Sequence, residues 1–151
     1  MIFRTHLAFC LLICLLIYNY FSLDILFIPA ALFAAGFPDI DNPGSKYGKK
    51  LGIISKLINL IFKHRGIFHS LFFGVILSLI LFFIEDIYGI GFFLGFLSHL
   101  IGDSLTKQGI NFLYPFGGLK LKGFIQTGGF AEIMLFYVFL ISDVFLIWIR
   151  I

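Results

Sequence analysis

Apolar residues fall in five long stretches along this chain, and the polar residues collect between them. The stretches cover residues 7–18 (extending through Asn19 and Ser22 to Leu23), 25–37, 67–84, 87–101 and 133–149, the last with Asp143 inside it. A helix crossing a bilayer needs about 20 apolar residues. The second stretch is short by that measure and reads either as tilted or as a partial span paired with the first. Pro38 is expected to end it, because proline pushes the residue before it out of helical geometry. Between the second and third stretches, Leu51, Ile54, Leu57, Ile58 and Ile61 recur at helical spacing. That pattern predicts an amphipathic helix lying in the membrane interface. The expected fold is an all-α integral membrane protein: a bundle of about five apolar helices plus the interfacial helix, as one domain over 1–151.

The connections alternate in character. Residues 19–24 and 85–89 make tight turns, the second acidic through Glu85 and Asp86. Residues 38–65 and 104–129 are long and basic. With five crossings, the N-terminus and both long connections share one side. Ten of the eleven Lys and Arg residues fall there, and only Arg150 does not. The positive-inside rule makes that side cytoplasmic and places the C-terminus opposite. The expected location is therefore the inner (cytoplasmic) membrane, with the lipid bilayer as the first partner.

Composition strengthens this picture. The chain is 60% hydrophobic and 13% charged, where a soluble domain carries about 25% charged residues. The net charge of +3 is modest, and its basic residues cluster at predicted membrane ends, which favours anionic lipid over nucleic acid. Cys10 and Cys14 lack redox or zinc-motif spacing and read as helix-face packing. Arg4 precedes an apolar run with no small-residue cleavage site before Asp24, so a retained signal-anchor is expected.

The predicted topology gathers the chemistry at one membrane face: His6, Asp39, Asp41, His64, His69, His99, Asp103 and Glu132. These include all four histidines. Ionisable groups beside hydrocarbon are costly and tend to be paired, ligated or functional. Asp39 and Asp41 leave the second stretch as an Asp-x-Asp pair, able to ligate one cation or to serve two. The same residue types also suit a plain turn. An EF-hand is excluded, since Pro43 takes its fifth position and Lys50 its twelfth. His64 and His69 flank Gly66, whose bend would bring His64, before the helix, and His69, in its first turn, toward a common point. Arg65 between them suits bidentate phosphate recognition. His99 and Asp103 are one helical turn apart on one face. They suit zinc, manganese or iron, unless Asp103 only orients His99.

His6 alone reads as an ordinary surface histidine. Glu132 reads as a ligand, a general base or a helix-start acid. Asp143, about 16 Å further along that helix, is expected to pair inside the bundle instead. Seven candidates besides Glu132 exceed the four ligands of a closed zinc site. Either some act from behind the ligands, or the site is dinuclear.

Phe-Pro-Asp-Ile-Asp-Asn-Pro at 37–43, His-Arg-Gly-Ile-Phe-His-Ser at 64–70 and Gly-Phe-Leu-Ser-His-Leu-Ile-Gly-Asp at 95–103 stand in this order. With Leu105-Thr106-Lys107-Gln108-Gly109, Tyr114-Pro115, His6 and Glu132, they resemble the YdjM-like family of membrane-bound metal-dependent hydrolases. The resemblance spans residues 6 to about 132. It implies a divalent-metal hydrolase centre with His64, His69, His99 and Asp103, together with Asp39 and Asp41, as the metal or catalytic set; the ion expected from the donor types is zinc or manganese. Phe68 departs from it, standing where the family usually has a small hydroxyl residue. A metal in such a centre activates water and polarises the scissile group.

The expected function is hydrolysis of a phosphoester or lipid-linked substrate at the cytoplasmic surface. Asp39, Arg65 and Glu132 are the catalytic candidates, and His6, Asp39, Asp41, His64, His69, His99 and Asp103 the metal candidates. The alternative is metal transport or sensing with the same ligands and no hydrolysis. Transport would favour polar groups continuing through the spans, where Asp143 stands alone.

Overall fold

The computed structural model describes residues 1–21 and 24–149, the side chains of 19–21 excepted. The part of the first turn at Ser22 and Leu23, and Arg150, lie outside the described residues. Seven α-helices are present among those described: α1 (Phe3–Phe21), α2 (Phe27–Ala34), α3 (Lys46–Leu51), α4 (Ile53–Phe62), α5 (Leu71–Ile84), α6 (Asp86–Ser104) and α7 (Phe130–Trp148). Two 3-10 turns, Phe37–Asp41 and Ile67–His69, carry the two short motifs. A small antiparallel ribbon, β1 (Ile110–Asn111) with β2 (Lys120–Leu121), closes the second long connection.

All five apolar stretches are helical. By length and composition, α6 and α7 are each able to cross a membrane; the apolar part of α1, Phe3–Tyr18, and α5 are shorter. α2 has only eight residues. It stops at Ala34, before the point expected from Pro38, and Pro38 instead opens the 3-10 turn. Proline suits that position because its missing N–H would have no partner there and its fixed φ is near helical. The amphipathic segment is also divided: Gly52, at φ 55, separates α3 from α4.

Helix directions alternate. Ile2 meets Glu132 and Phe9 stacks on Phe139, so α1 and α7 run parallel. His6 stacks on His99 while Met1 contacts Asp103, so α6 runs against α1. α2 lies parallel to α6, with Phe27 beside Gly91 and Ala31 beside Gly95. α5 begins directly after His69 and returns against α6, with Gly74 against Phe96 and Gly89 against Phe82. The starts of α1, α5 and α7 and the ends of α2 and α6 therefore meet at one end of the bundle.

α6 is the central helix. One buried cluster joins Cys10, Cys14, Phe27, Ala31 and Ala35; another joins Ala34, Phe92, Phe96, Leu100 and Ile110. Cys10 and Cys14 are free, buried and 4.0 Å apart at sulfur, as packing residues on one face of α1. α7 differs: Met134, Val138, Ile141, Val144, Phe145 and Trp148 are exposed, so it lies at the edge of the bundle with apolar side chains outward. Asp143 on α7 is buried, and neither carboxylate oxygen has a hydrogen-bond partner among the described residues.

The α2–α6 contact depends on two glycines. Gly91 and Gly95 are four apart, so they share a face of α6. A Cβ on Gly95 would run into the Ala31 backbone, and one on Gly91 into the Phe27 carbonyl. Small residues at this spacing let two helix backbones approach without a hydrophobic driving force in lipid. Gly95→Ala should destabilise the protein by roughly 1–3 kcal/mol, the usual cost of overpacking. Val138→Ala, on the outward face of α7, should change little. Thermal unfolding in detergent measures both, and equal Tm values for the two variants would mean that α2 can move away freely.

Candidate functional site

Each chemical residue reaches the site from one of those helix ends. α2 ends with unsatisfied carbonyls, as every helix does, and His99 of α6 uses one: its Nδ1–H donates to Ala35 O over 2.8 Å. With that proton committed, Nε2 of neutral His99 carries a lone pair. It points at His69 Nε2, 3.3 Å away. His69 is oriented from its own far side, where Nδ1 lies 3.1 Å from Asp41 Oδ2. Two carboxylates flank the imidazole pair. Asp39 Oδ1 is 3.8 Å from His69 Nε2, and Asp103 Oδ2 is 3.7 Å from His69 Nε2 and 3.9 Å from His99 Nε2.

The electrostatics of the turn residues agree. Burial pulls His69 toward its neutral form, but Asp39 and Asp41 override it and raise its pKa to about 9. Burial pushes Asp39 and Asp41 up; bonding to the histidines and their charge bring both net below the usual carboxylate range. The raised pKa favours a proton on His69, directed between the two Nε2 atoms. The same lone pairs and carboxylates fit a divalent cation that displaces this proton.

Asp41 is fully buried and does not face this point. Its Oδ1 meets His64 Nδ1 at 2.7 Å, while Oδ2 meets His69 Nδ1 and accepts the Arg65 backbone N–H at 3.1 Å. A carboxylate behind a histidine fixes its tautomer and raises its basicity. The bend expected at Gly66 is present: Gly66 sits at φ −85°, ψ −128°, where a Cβ would strike Phe62 O, and Lys63 and Arg65 beside it are both at positive φ (59° and 67°). His69 accordingly sits in the 3-10 turn before α5, not in that helix's first turn.

The Arg65 guanidinium bonds Asp103 Oδ2 at 3.0 Å and Gly109 O at 2.7 Å, with a longer contact to Thr106 Oγ1. Asp103 Oδ1 faces the Met1 amino group and His6 Nε2, the latter at 3.3 Å. His6 is not a surface histidine: it is buried and stacked on His99, with ring centroids 3.9 Å apart. Glu132 is buried as well, and its two oxygens accept backbone N–H groups of Ile2 and Gly128, each at 2.6 Å. That geometry makes it an anchor for the start of α1 and the turn before α7.

Three residues that sequence reasoning passed over hold the Asp-x-Asp turn in place. Ser45 donates to Asp39 O, Ser55 to Ile40 O and Asn59 to Asp41 O, at 2.6–2.7 Å. Three successive carbonyls are thus pinned by the N-cap residue of α3 and by α4. A signal was available, because Ser55 and Asn59 are uncharged polar residues four apart in a helix that is otherwise apolar but for Lys56.

Above the histidine pair lies an open cavity of about 490 Å³, lined among others by Asp39, Lys46, His64, Arg65, Gln108 and Thr127. His69, His99 and Asp103 are buried beneath it. Asp39, with its side chain 14% exposed, stands at the boundary between the two.

The family model described as YdjM inner membrane protein matches residues 1–149. The chain is 34% identical over 137 residues to YvsG, an uncharacterized protein of Bacillus subtilis (strain 168), covering 85% of this chain and 83% of that protein. It is 38% identical over 96 residues to the inner membrane protein YdjM of Escherichia coli (strain K12), covering 58% of this chain and 48% of that protein. The YdjM protein of Shigella flexneri matches to the same extent. No solved structure matches. The early histidine, the Asp-x-Asp turn, the His-Arg-Gly segment and the His99–Asp103 turn all lie within the matched region, and the chain belongs to the YdjM family of inner membrane proteins.

Proposed function

We propose that this protein is a metal-dependent hydrolase that cleaves a phosphoester, carried by a lipid, at the cytoplasmic surface of the membrane. One observation carries the reading. Two imidazole Nε2 atoms, each oriented from its far side, face each other between two carboxylates beneath an open polar cavity. Asp39, His69, His99 and Asp103 would hold a divalent ion, zinc or manganese, with the donor count of a tetrahedral site. A second ion, shared between His6 and the other Asp103 oxygen, is the dinuclear form of the same reading. The bound ion supplies Lewis acidity, activating water and polarising the phosphoryl group.

The remaining groups have work of their own. Asp41 fixes the His69 tautomer and tethers His64, whose other ring nitrogen is left for proton transfer on the cavity side. Arg65 and Lys46 bring positive charge to a cavity that would receive phosphate. Arg65 already bonds Asp103, so it serves an incoming phosphate and the ion's carboxylate together. The buried surroundings of His69 and His99 exclude bulk water and strengthen these interactions.

Alternating helix directions and ten basic residues at the site end support five crossings with that end cytoplasmic. An impermeant thiol reagent applied outside should fail to label cysteines introduced at Ser45 and Lys120, yet label one at Asp86. External labelling at Ser45 would reverse the orientation.

Metal handling without hydrolysis is the second reading: it uses the same ligands, and Asp143, buried on α7 with no hydrogen-bond partner for its oxygens among the described residues, is the one carboxylate within the spans that would extend a path beyond the site. Elemental analysis of purified variants tests what both readings share. His69→Ala and His99→Ala should abolish bound metal. His64→Ala, whose ring bonds Asp41 and packs edge-on against His69, should weaken affinity by roughly 10–100-fold without abolishing binding. Unchanged occupancy in the first two would remove those histidines as ligands.

A phosphoester screen of metal-loaded protein separates the readings. Asp39→Asn keeps side-chain size and turn preference but loses the charge at the cavity boundary. Turnover should fall by at least about 100-fold with membrane insertion unchanged. If the loaded wild type cleaves no phosphoester, the metal-handling reading takes its place.

A further inference from the structure

A second recess opens beside the polar cavity, and it is almost wholly apolar. This groove of about 420 Å³ runs between the end of α2 and the α3–α4 pair, lined by Phe33, Phe37, Ile40, Tyr47, Leu51, Ile54 and Ile58, with Lys50 also on its wall. Its outer wall continues into the surface that α4 exposes: Ile53, Ile54, Leu57, Leu60 and Ile61 are all open on that helix. Apolar side chains at such spacing on a membrane protein's interfacial helix meet the acyl region of the bilayer.

The partition between groove and cavity is thin. Tyr47 of the groove packs edge-on against Phe3 of the cavity, with ring centroids 5.4 Å apart. Lys46, the residue before Tyr47, lines the cavity and holds its Nζ 4.8 Å from the Phe3 ring centroid. Both rings close onto Gly36, where any Cβ would strike Tyr47 and Phe3. The only residue type that admits this closure occupies the position. A molecule with its tail in the groove would therefore have its headgroup at Lys46 and Lys50, and Lys46 lines the same cavity as Asp39 and Arg65.

We propose that the groove seats one hydrocarbon chain of an anionic phospholipid and presents its phosphate to the polar cavity. Charge argues for this occupant over a zwitterionic one. Lys46, Lys49 and Lys50 all lie on the short α3 helix at the rim, and juxtamembrane lysines attract anionic headgroups. The proposal rests on the phosphoester reading of the site, and it names that substrate as a membrane lipid whose tail is gripped separately from its headgroup.

Photolabelling tests the groove without any turnover. The full-length protein is placed in phosphatidylcholine vesicles doped with phosphatidic acid that carries a diazirine in one acyl chain, and the labelled peptides are mapped. Labelling should concentrate within residues 33–58. Ile54→Trp, which fills the groove from an exposed position, should reduce it about tenfold. Leu60→Trp, on the outward face of α4, should leave it unchanged. Lys46→Glu should lower labelling by phosphatidic acid and leave labelling by a diazirine phosphatidylcholine as it was.

Labelling spread evenly over the outward faces of α5 and α7, or undiminished in Ile54→Trp, would overturn the proposal. Ile54→Trp protein that retains metal and a monodisperse profile shows that any loss comes from the groove and not from unfolding. A wild type that is labelled in the groove yet cleaves no phosphoester would keep the lipid site and discard the hydrolase reading.

Discussion

Four carboxylates and four histidines share one end of an otherwise apolar bundle, and the rest of the structure follows from making that tolerable. An isolated buried charge is prohibitive, so each ionisable group here is set against another. Asp41 takes two histidines and a backbone amide; Asp103 takes Arg65 on one oxygen and faces His6 and the Met1 amino group with the other. The point left over lies between His69 Nε2 and His99 Nε2. Every other pairing in the cluster serves to aim those two atoms at each other.

This arrangement explains features that look unrelated along the chain. α2 is short because its end must bring Ala35 O to His99 and swing Asp39 and Asp41 under α3 and α4. α6 carries glycines on one face so that α2 can approach closely enough for that bond. α3 and α4 serve two purposes. Their polar side chains pin the aspartate turn, and their apolar side chains face outward beside a groove. Site geometry and the proposed membrane contact would thereby be built from the same short helices.

Much of this was legible in the sequence. Runs of apolar residues located all five long or short bundle helices, because burial in lipid or in a bundle imposes the same composition. The histidines and carboxylates at the site were all visible as candidates, because ionisable types are rare in so apolar a chain. Their division of labour was not visible. Asp41 and Asp39 look equivalent in Asp-x-Asp, yet one stands behind His69 and the other in front. Glu132 reads equally as base or anchor until its two backbone partners are seen. His6 looked like a surface residue because its burial depends on α6, nearly a hundred positions away. α2 ends earlier than Pro38 implies, because that proline begins the next turn instead of terminating the helix. Local pattern carries composition and period; it does not carry which side of an imidazole a partner occupies.

The central claim is that Asp39, His69, His99 and Asp103 together hold a divalent ion. X-ray absorption spectroscopy of the zinc-loaded protein tests it most directly. The account predicts a shell of nitrogen and oxygen donors alone, with metal–nitrogen distances of about 2.0–2.1 Å and the scattering pattern of two imidazoles. Sulfur at about 2.3 Å would place the ion at Cys10 and Cys14 instead. A shell without imidazole would equally contradict the account.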